Sequence, residues 1–199
     1  VMLITYQPVK YTVNHYVFDT EANDFVLKES EELAGFPGEM TNAQAKDYEN
    51  YVLAEEILQL EIAANRNLPV IIHSRESTEL IINVLKELSH LPLRGVFHAF
   101  SGSAETFSEL QKLGDWYVGI GGVLTYKKAS IAETVKKIPI ERILLETDSP
   151  YLTPVPFRGK RNESSYIPHI ASRLAEQTGR DIEEIAAVTT ENARKLFGI

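Results

Sequence analysis

The sequence predicts an α/β fold built on a parallel sheet of the barrel kind, and three observations carry that prediction. Leu68-Pro-Val-Ile-Ile-His73, Arg94-Gly-Val-Phe-His98 and Arg142-Ile-Leu-Leu-Glu-Thr-Asp148 are short runs rich in branched apolar residues. Strands covered on both faces read this way. Each run is followed by a segment of helical character, so the order from Leu68 onward is repeated strand–helix, which favours parallel strands joined by right-handed crossovers. Each run also ends in a potential metal ligand. In an α/β barrel, successive strand ends converge at one mouth, where active sites lie.

The chain has 199 residues, 44% hydrophobic and 24% charged, which is enough for one globular domain with a real core. There is no Cys, so disulfides and thiolate metal sites are excluded. The N-terminal residues lack the basic-then-apolar pattern of a signal peptide, and no apolar run approaches the roughly 18 residues of a membrane span. A cytoplasmic protein with no membrane partner is expected. The net charge of −8 argues against broad coating of nucleic acid, which needs a basic face. It does not exclude an anionic substrate held by a metal and a few local cations.

In chain order, Val1–Ile4 reads as a buried strand. Lys10–Phe18 and Phe25–Lys28, on either side of Asp19–Asp24, read as a β-hairpin. Glu29–Glu32 is an acidic run expected on a solvated surface, and Gly35–Glu39 is turn chemistry. Ala43–Asn65 has helical spacing through Tyr48, Val52, Ile57, Leu60 and Ala64. The Leu68 strand follows, then a helix over Ser77–Leu88 buried through Ile81, Ile82, Leu85 and Leu88. After the Arg94 strand, Ser103 is the expected N-cap of a helix that turns Phe107 and Leu110 inward and closes at Gly114. Tyr117–Gly122 is a strand, Ser130–Ile138 a short helix, and Arg142–Asp148 the last strand. Pro150–Asn162 is a long irregular segment carrying Arg158, Lys160 and Arg161, and such segments are often functional. Three helices are expected to close the chain. The first uses Ile167, Ala171 and Leu174; the second starts at an Asp181–Glu184 capping box; the third is anchored by Ala193, Leu196 and Phe197.

His73 and His98 fall at matching positions of neighbouring strands, and imidazole is the commonest protein metal ligand. Asp148, at a later strand end, can bind metal or take a proton from a bound water. A divalent ion lowers the pKa of such water toward neutrality. With nearby cations, that set suits hydrolysis of an anionic ester, and a phosphodiester fits well because metals and Arg forks neutralise phosphate oxygens.

Five segments in order carry a family resemblance: Pro69–Glu76, Gly95–Gly102, Leu144–Leu152, Pro156–Asn162 and Thr190–Phe197. Together they resemble the TatD family of metal-dependent deoxyribonucleases, over roughly the last two-thirds of the chain, and the spacings of His73, His98 and Asp148 match as well. The resemblance implies a TIM-type (β/α) barrel of the amidohydrolase kind, one or two divalent metal ions (Mg, Zn or Mn), and hydrolysis of DNA. A single domain over 1–199 is expected, well matched over 68–199 and divergent over 1–67. The departure lies in that first part. The family opens on a strand ending in His-x-His, and Gln7 and Val9 stand at those two positions here. The family's bridging Glu has its nearest counterpart in Glu39, within Gly38-Glu39-Met40. A full barrel takes about 250 residues, so the barrel is expected to be incomplete or distorted in its N-terminal part, or completed by a second chain.

The resemblance therefore assigns Glu39, His73, His98 and Asp148 as metal ligands, with Asp148 also the general base, and Arg75, Ser149, Arg158 and Asn162 as phosphate contacts. Arg75 has the alternative of a salt bridge to Glu76 or Glu146. The basic loop around Arg158 has the alternative of an ordinary solvated loop. His15 reads as a solvent-facing hairpin residue, with replacement of a lost ligand as the alternative. His90 and His169 receive no role. The expected function is metal-dependent hydrolysis of phosphodiester bonds in DNA. The alternatives are a catalytically impaired scaffold without the His-x-His site, and a related amidohydrolase acting on a small ester or amide.

Overall fold

The computed structural model describes residues 9–19, 24–35, 54–74 and 77–199. The chain divides into two units, Val1–Leu58 and Gln59–Ile199. In the first, β1 (Val9–Asp19) and β2 (Asp24–Gly35) pair antiparallel, from Val9 opposite Gly35 to Asp19 opposite Asp24, with a register shift between His15 and Tyr16. The β-branched and aromatic residues of Tyr11–Phe18 favour this extended pairing. The second strand runs past Lys28, where the sequence pattern ends, and takes in the acidic run. Glu29, Ser30 and Glu32 are exposed there. The Val1–Ile4 strand, the Gly35–Glu39 turn beyond Gly35 and the first part of the Ala43–Asn65 helix lie outside the described residues. Helix α1 (Ala54–Asn65) is the described part of the latter.

The second unit is built on four strands: β3 (Val70–His73), β4 (Arg94–His98), β5 (Asp115–Ile120) and β6 (Ile143–Leu145). They lie in the order β3-β4-β5-β6 and every pair is parallel. A doubly wound sheet reverses its strand order at a switch point. This sheet continues in one direction, as a barrel wall does. The crossovers carry α2 (Thr78–Glu87), α3 (Ala104–Leu110) and α4 (Ile131–Thr134), the last prolonged by a 3₁₀ turn over Val135–Lys137. Ser103 caps α3 as expected, its hydroxyl accepting from the Thr106 N–H at 3.2 Å. In α2 the buried positions are Ile82, Val84, Leu85 and Leu88, while Ile81 is only half-buried.

Alternation along the strands divides the sheet into two faces. Phe97, Trp116, Val118 and Ile143 are buried on one, where the Phe97 and Trp116 rings meet edge to face at 5.2 Å. On the other, Val96, Tyr117 and Leu144 form a cluster with Leu196 and Ala193. Two residues further along each strand, this second face carries His98, Gly119 and Glu146.

Helices α5 (Ile167–Thr178) and α6 (Ile182–Phe197) close the chain. The three helices expected from sequence are thus two. The second and third are one continuous helix of 16 residues, because the Thr189 hydroxyl bonds back to the Ile185 carbonyl at 2.8 Å and nothing interrupts the turn. The Asp181 capping box is not formed. Asp181 precedes α6 without a side-chain cap bond, and Glu184 pairs with Arg180 instead. The buried Asn192 amide donates to the Ile140 and Ile143 carbonyls, both at 2.8 Å, and ties α6 to the start of β6. Arg94 ties the far end of the sheet, donating to the Asn67 carbonyl at 2.8 Å and to that of Leu196 at 2.5 Å. Among the described residues, no helix is long and apolar enough to cross a membrane.

Candidate metal centre

His73 and His98 end β3 and β4 and stand directly opposite each other in register. Their ring centroids are 5.6 Å apart. His73 is exposed, whereas the His98 side chain keeps 23% of its accessible surface. Asp148 lies three residues beyond β6, with its Oδ1 2.7 Å from His98 Nε2. Two imidazoles and the late carboxylate therefore meet at the C-terminal rim of one parallel sheet.

A fourth group joins them that sequence reading did not assign. Glu146 Oε2 lies 2.9 Å from His98 Nδ1, and its Oε1 accepts from the Ala99 N–H at 2.6 Å. His98 is thus held between two carboxylates. The signal was available in the period of two: Glu146 follows Leu144 and precedes Asp148 on one side of the extended chain, while Thr147 falls between. Two local features make the arrangement possible. Ala99 sits at φ +48, in the left-handed region that residues with a Cβ seldom adopt, and its N–H reaches Glu146 from there. A Cβ on Gly119 would lie 2.0 Å from Glu146 Oε2, so only glycine leaves room for the carboxylate.

The electrostatics follow from this packing. Burial alone would lower the pKa of His98, but the hydrogen bond and charge of Glu146, followed by those of Asp148, outweigh it and hold the imidazole above its ordinary value of 6.5. Burial pushes Glu146 above the ordinary carboxylate value of 4.5. The Ala99 and His98 hydrogen bonds offset part of that rise, and the Asp148 charge adds to it.

Beside Asp148 opens a cavity of about 600 Å³ whose wall combines Leu124 and Ile131 with Tyr126, Lys127 and Arg158. The Arg158 guanidinium lies over the Tyr126 ring, 4.2 Å from its centre, and the Tyr126 hydroxyl donates to the Thr153 carbonyl at 3.2 Å. A mostly apolar wall with a few convergent polar groups is the usual composition of a ligand pocket.

The remaining predicted residues are placed as follows. Ser149 is exposed, its hydroxyl 3.0 Å from that of Thr147. Asn162 does not face a ligand. It is only 2% exposed, its amide donates to the Tyr151 carbonyl at 2.6 Å, and its side-chain oxygen accepts from the Glu163 N–H at 2.9 Å. It braces the Pro150–Asn162 loop from within, because a buried amide must satisfy its own polar atoms. Glu39, Arg75 and the side chain of His15 lie outside the described residues. Glu146, the alternative partner of Arg75, is engaged with His98 and Ala99. His169 packs edge-on against Phe157 at 5.0 Å, and His90 is exposed.

Whether the set suits a divalent ion turns on donor type and spacing. Imidazole nitrogen and carboxylate oxygen bind zinc and related ions at about 2.0–2.2 Å. Ligands sharing a tetrahedral ion are then roughly 3.3–3.6 Å apart. The 2.7 Å between His98 Nε2 and Asp148 Oδ1 is a direct hydrogen bond, which has to open to admit an ion. Among the described residues, no three such side chains are already gathered at ligand spacing. The donors are of the kind that binds such ions, and they stand at one rim of the sheet.

A directional parallel βα sheet with imidazoles and carboxylates on its C-terminal rim belongs to the class of α/β-barrel proteins that carry a site at that rim. Comparison with known proteins places the chain within that class: the sequence model of the TatD-related DNase family matches residues 34–198, and the chain belongs to that family. It is 48% identical over 142 residues to the metal-dependent hydrolase YabD of Bacillus subtilis, covering 71% of this chain and 55% of YabD. It is 40% identical over 148 residues to the 3'-5' ssDNA/RNA exonuclease TatD of Pantoea ananatis, covering 71% of this chain and 56% of that protein. Among solved structures it resembles YjjV, a TatD homologue from Escherichia coli. The TM-score is 0.65 at 33% identity, over 71% of this chain and 54% of that one. The chain thus spans about half the length of the relatives it matches.

Proposed function

We propose that the chain carries the metal site and substrate pocket of a hydrolase that cleaves phosphodiester bonds in DNA. The observation that supports this most strongly is the meeting of His73, His98 and Asp148 at one rim, against a cavity walled partly by Arg158 and Lys127. The family and the exonuclease name of one relative point the same way.

In this reading His73, His98 and Asp148 hold a divalent ion. When bound, the ion supplies a water of lowered pKa and positive charge against phosphate oxygens. Asp148 accepts the proton of the attacking water, being the carboxylate that borders both the imidazole and the cavity. Arg158, steadied over Tyr126, and Lys127 bring cationic charge to a chain that is otherwise acidic, and hold the phosphate near the rim. Ser149 adds a hydroxyl beside it. Leu124 and Ile131 offer apolar surface to the sugar or base.

A second reading is a scaffold that has lost tight metal binding, favoured by Gln7 and Val9 at the His-x-His positions. One experiment separates the two. The metal content of the purified chain is measured alongside hydrolysis of end-labelled single-stranded DNA, with and without chelator. Bound metal, and cleavage that vanishes with chelator and in His98→Ala, supports the hydrolase. Less than one equivalent of metal and no cleavage supports the scaffold.

A further inference from the structure

We propose that Glu146 is a positioning residue: its carboxylate fixes the Nδ1–H tautomer of His98, so that Nε2 is the nitrogen presented to a divalent cation. The proposal rests on the metal-site reading above and adds to it a residue that is neither ligand nor base.

Both imidazole nitrogens face carboxylates, but the two carboxylates differ in how they are held. Glu146 has one oxygen on the Ala99 N–H at 2.6 Å and the other on His98 Nδ1 at 2.9 Å, so both oxygens are engaged on the side of the ring away from Asp148. Asp148, beyond the strand end, borders the cavity. The ligand side of the ring is therefore Nε2, and Nδ1 is the anchored side. A metal-bound imidazole is normally held through its other N–H by such a partner.

The surrounding chain is arranged around this contact at some cost to itself. Ala99 adopts φ +48 while its N–H engages Glu146, a conformation that residues with a side chain seldom hold. Gly119 keeps clear the space that the Glu146 carboxylate fills. These two features, on β5 and after β4, converge on the same carboxylate.

Glutamine at this position makes a sharp test. The Ala99 N–H is a fixed donor and claims the amide oxygen. The amide NH₂ then faces His98 Nδ1, which must become an acceptor, and the ring proton moves to Nε2. Glu146→Gln should therefore hold the neutral ring as Nε2–H, the nitrogen that zinc needs free, and Gly119→Ala should displace the carboxylate and leave a mixture. The tautomers are read from ¹⁵N shifts of the His98 ring, and Zn²⁺ affinity is measured by calorimetry on the full chain. Circular dichroism checks that each variant is folded.

The expected result is a zinc-loaded wild-type protein with Nδ1–H and zinc on Nε2, and a Glu146→Gln variant whose neutral ring carries Nε2–H and whose affinity is weaker by about 10–100-fold. Gly119→Ala should fall between them. A Glu146→Gln protein that keeps both the wild-type tautomer and its affinity within twofold would overturn the proposal. A wild-type protein whose His98 shifts do not respond to zinc would overturn the metal-site reading, and this inference with it.

Discussion

At the scale of single residues, the site depends on which carboxylate does what. Asp148 and Glu146 flank one imidazole, yet only Asp148 borders the cavity. Asp148→Asn should therefore lower kcat by about 10²–10⁴-fold, the usual worth of a positioned general base, with KM moving much less. Steady-state kinetics on a labelled oligonucleotide reads both. The raised pKa values give a second expectation, for the metal-free protein. His98 lies above 6.5 and Glu146 above 4.5, so both bind protons more tightly folded than unfolded. For His98 that contribution is full below about 6.5 and is lost as pH rises through its folded value. The thermal stability advantage of wild type over His98→Ala, measured in chelator, should shrink as pH rises above about 6.5. A growing advantage would contradict the assignment. His73, His98 and Asp148 were legible because each ends an apolar run. Glu146 was not, because a carboxylate inside a strand pattern reads as a tolerated polar residue until its partners are seen. Asn162 was misread for the converse reason: an amide in a basic loop looks like a ligand contact, and only its burial shows that it braces the loop.

At the scale of elements, the sheet depends on a few contacts at its ends. Asn192 caps two carbonyls at the entrance to β6. Asn192→Ala leaves both without that partner and should cost about 1–3 kcal/mol in chemical denaturation. A Cβ on Gly95 would stand 2.1 Å from the Val70 carbonyl and 2.8 Å from the Trp116 ring. Gly95→Ala should accordingly destabilise the β3–β4 pair by about 1–3 kcal/mol, as overpacking does, and lower zinc affinity by shifting His73 against His98. The strands and α2–α4 were readable from apolar periodicity and from the Ser103 cap. The merging of the last two helices was not, since the sequence reading set the helix that starts at Asp181 apart from the one anchored by Ala193, Leu196 and Phe197. The hairpin was readable from the two runs on either side of Asp19–Asp24, but the acidic run hid the continuation of β2, because exposed Glu residues on one strand carry no apolar alternation.

At the scale of the whole molecule, four sequential parallel strands give one arc of a barrel wall with its C-terminal rim carrying the site. The barrel class was legible because sequence order and strand order coincide, and because both imidazoles sit at equivalent strand ends. Residues 1–67 were less legible, having neither the His-x-His pattern nor a strand–helix repeat. The family match nevertheless begins at residue 34. All of the functional reading rests on one shared pocket for His73, His98 and Asp148. The most direct test is anomalous diffraction from crystals of the chain grown with Mn²⁺. The account predicts a manganese peak at ligand distance from His98 Nε2 and Asp148, with His73 in the same shell and the His98–Asp148 hydrogen bond opened. Manganese bound elsewhere while that hydrogen bond stays closed would contradict it.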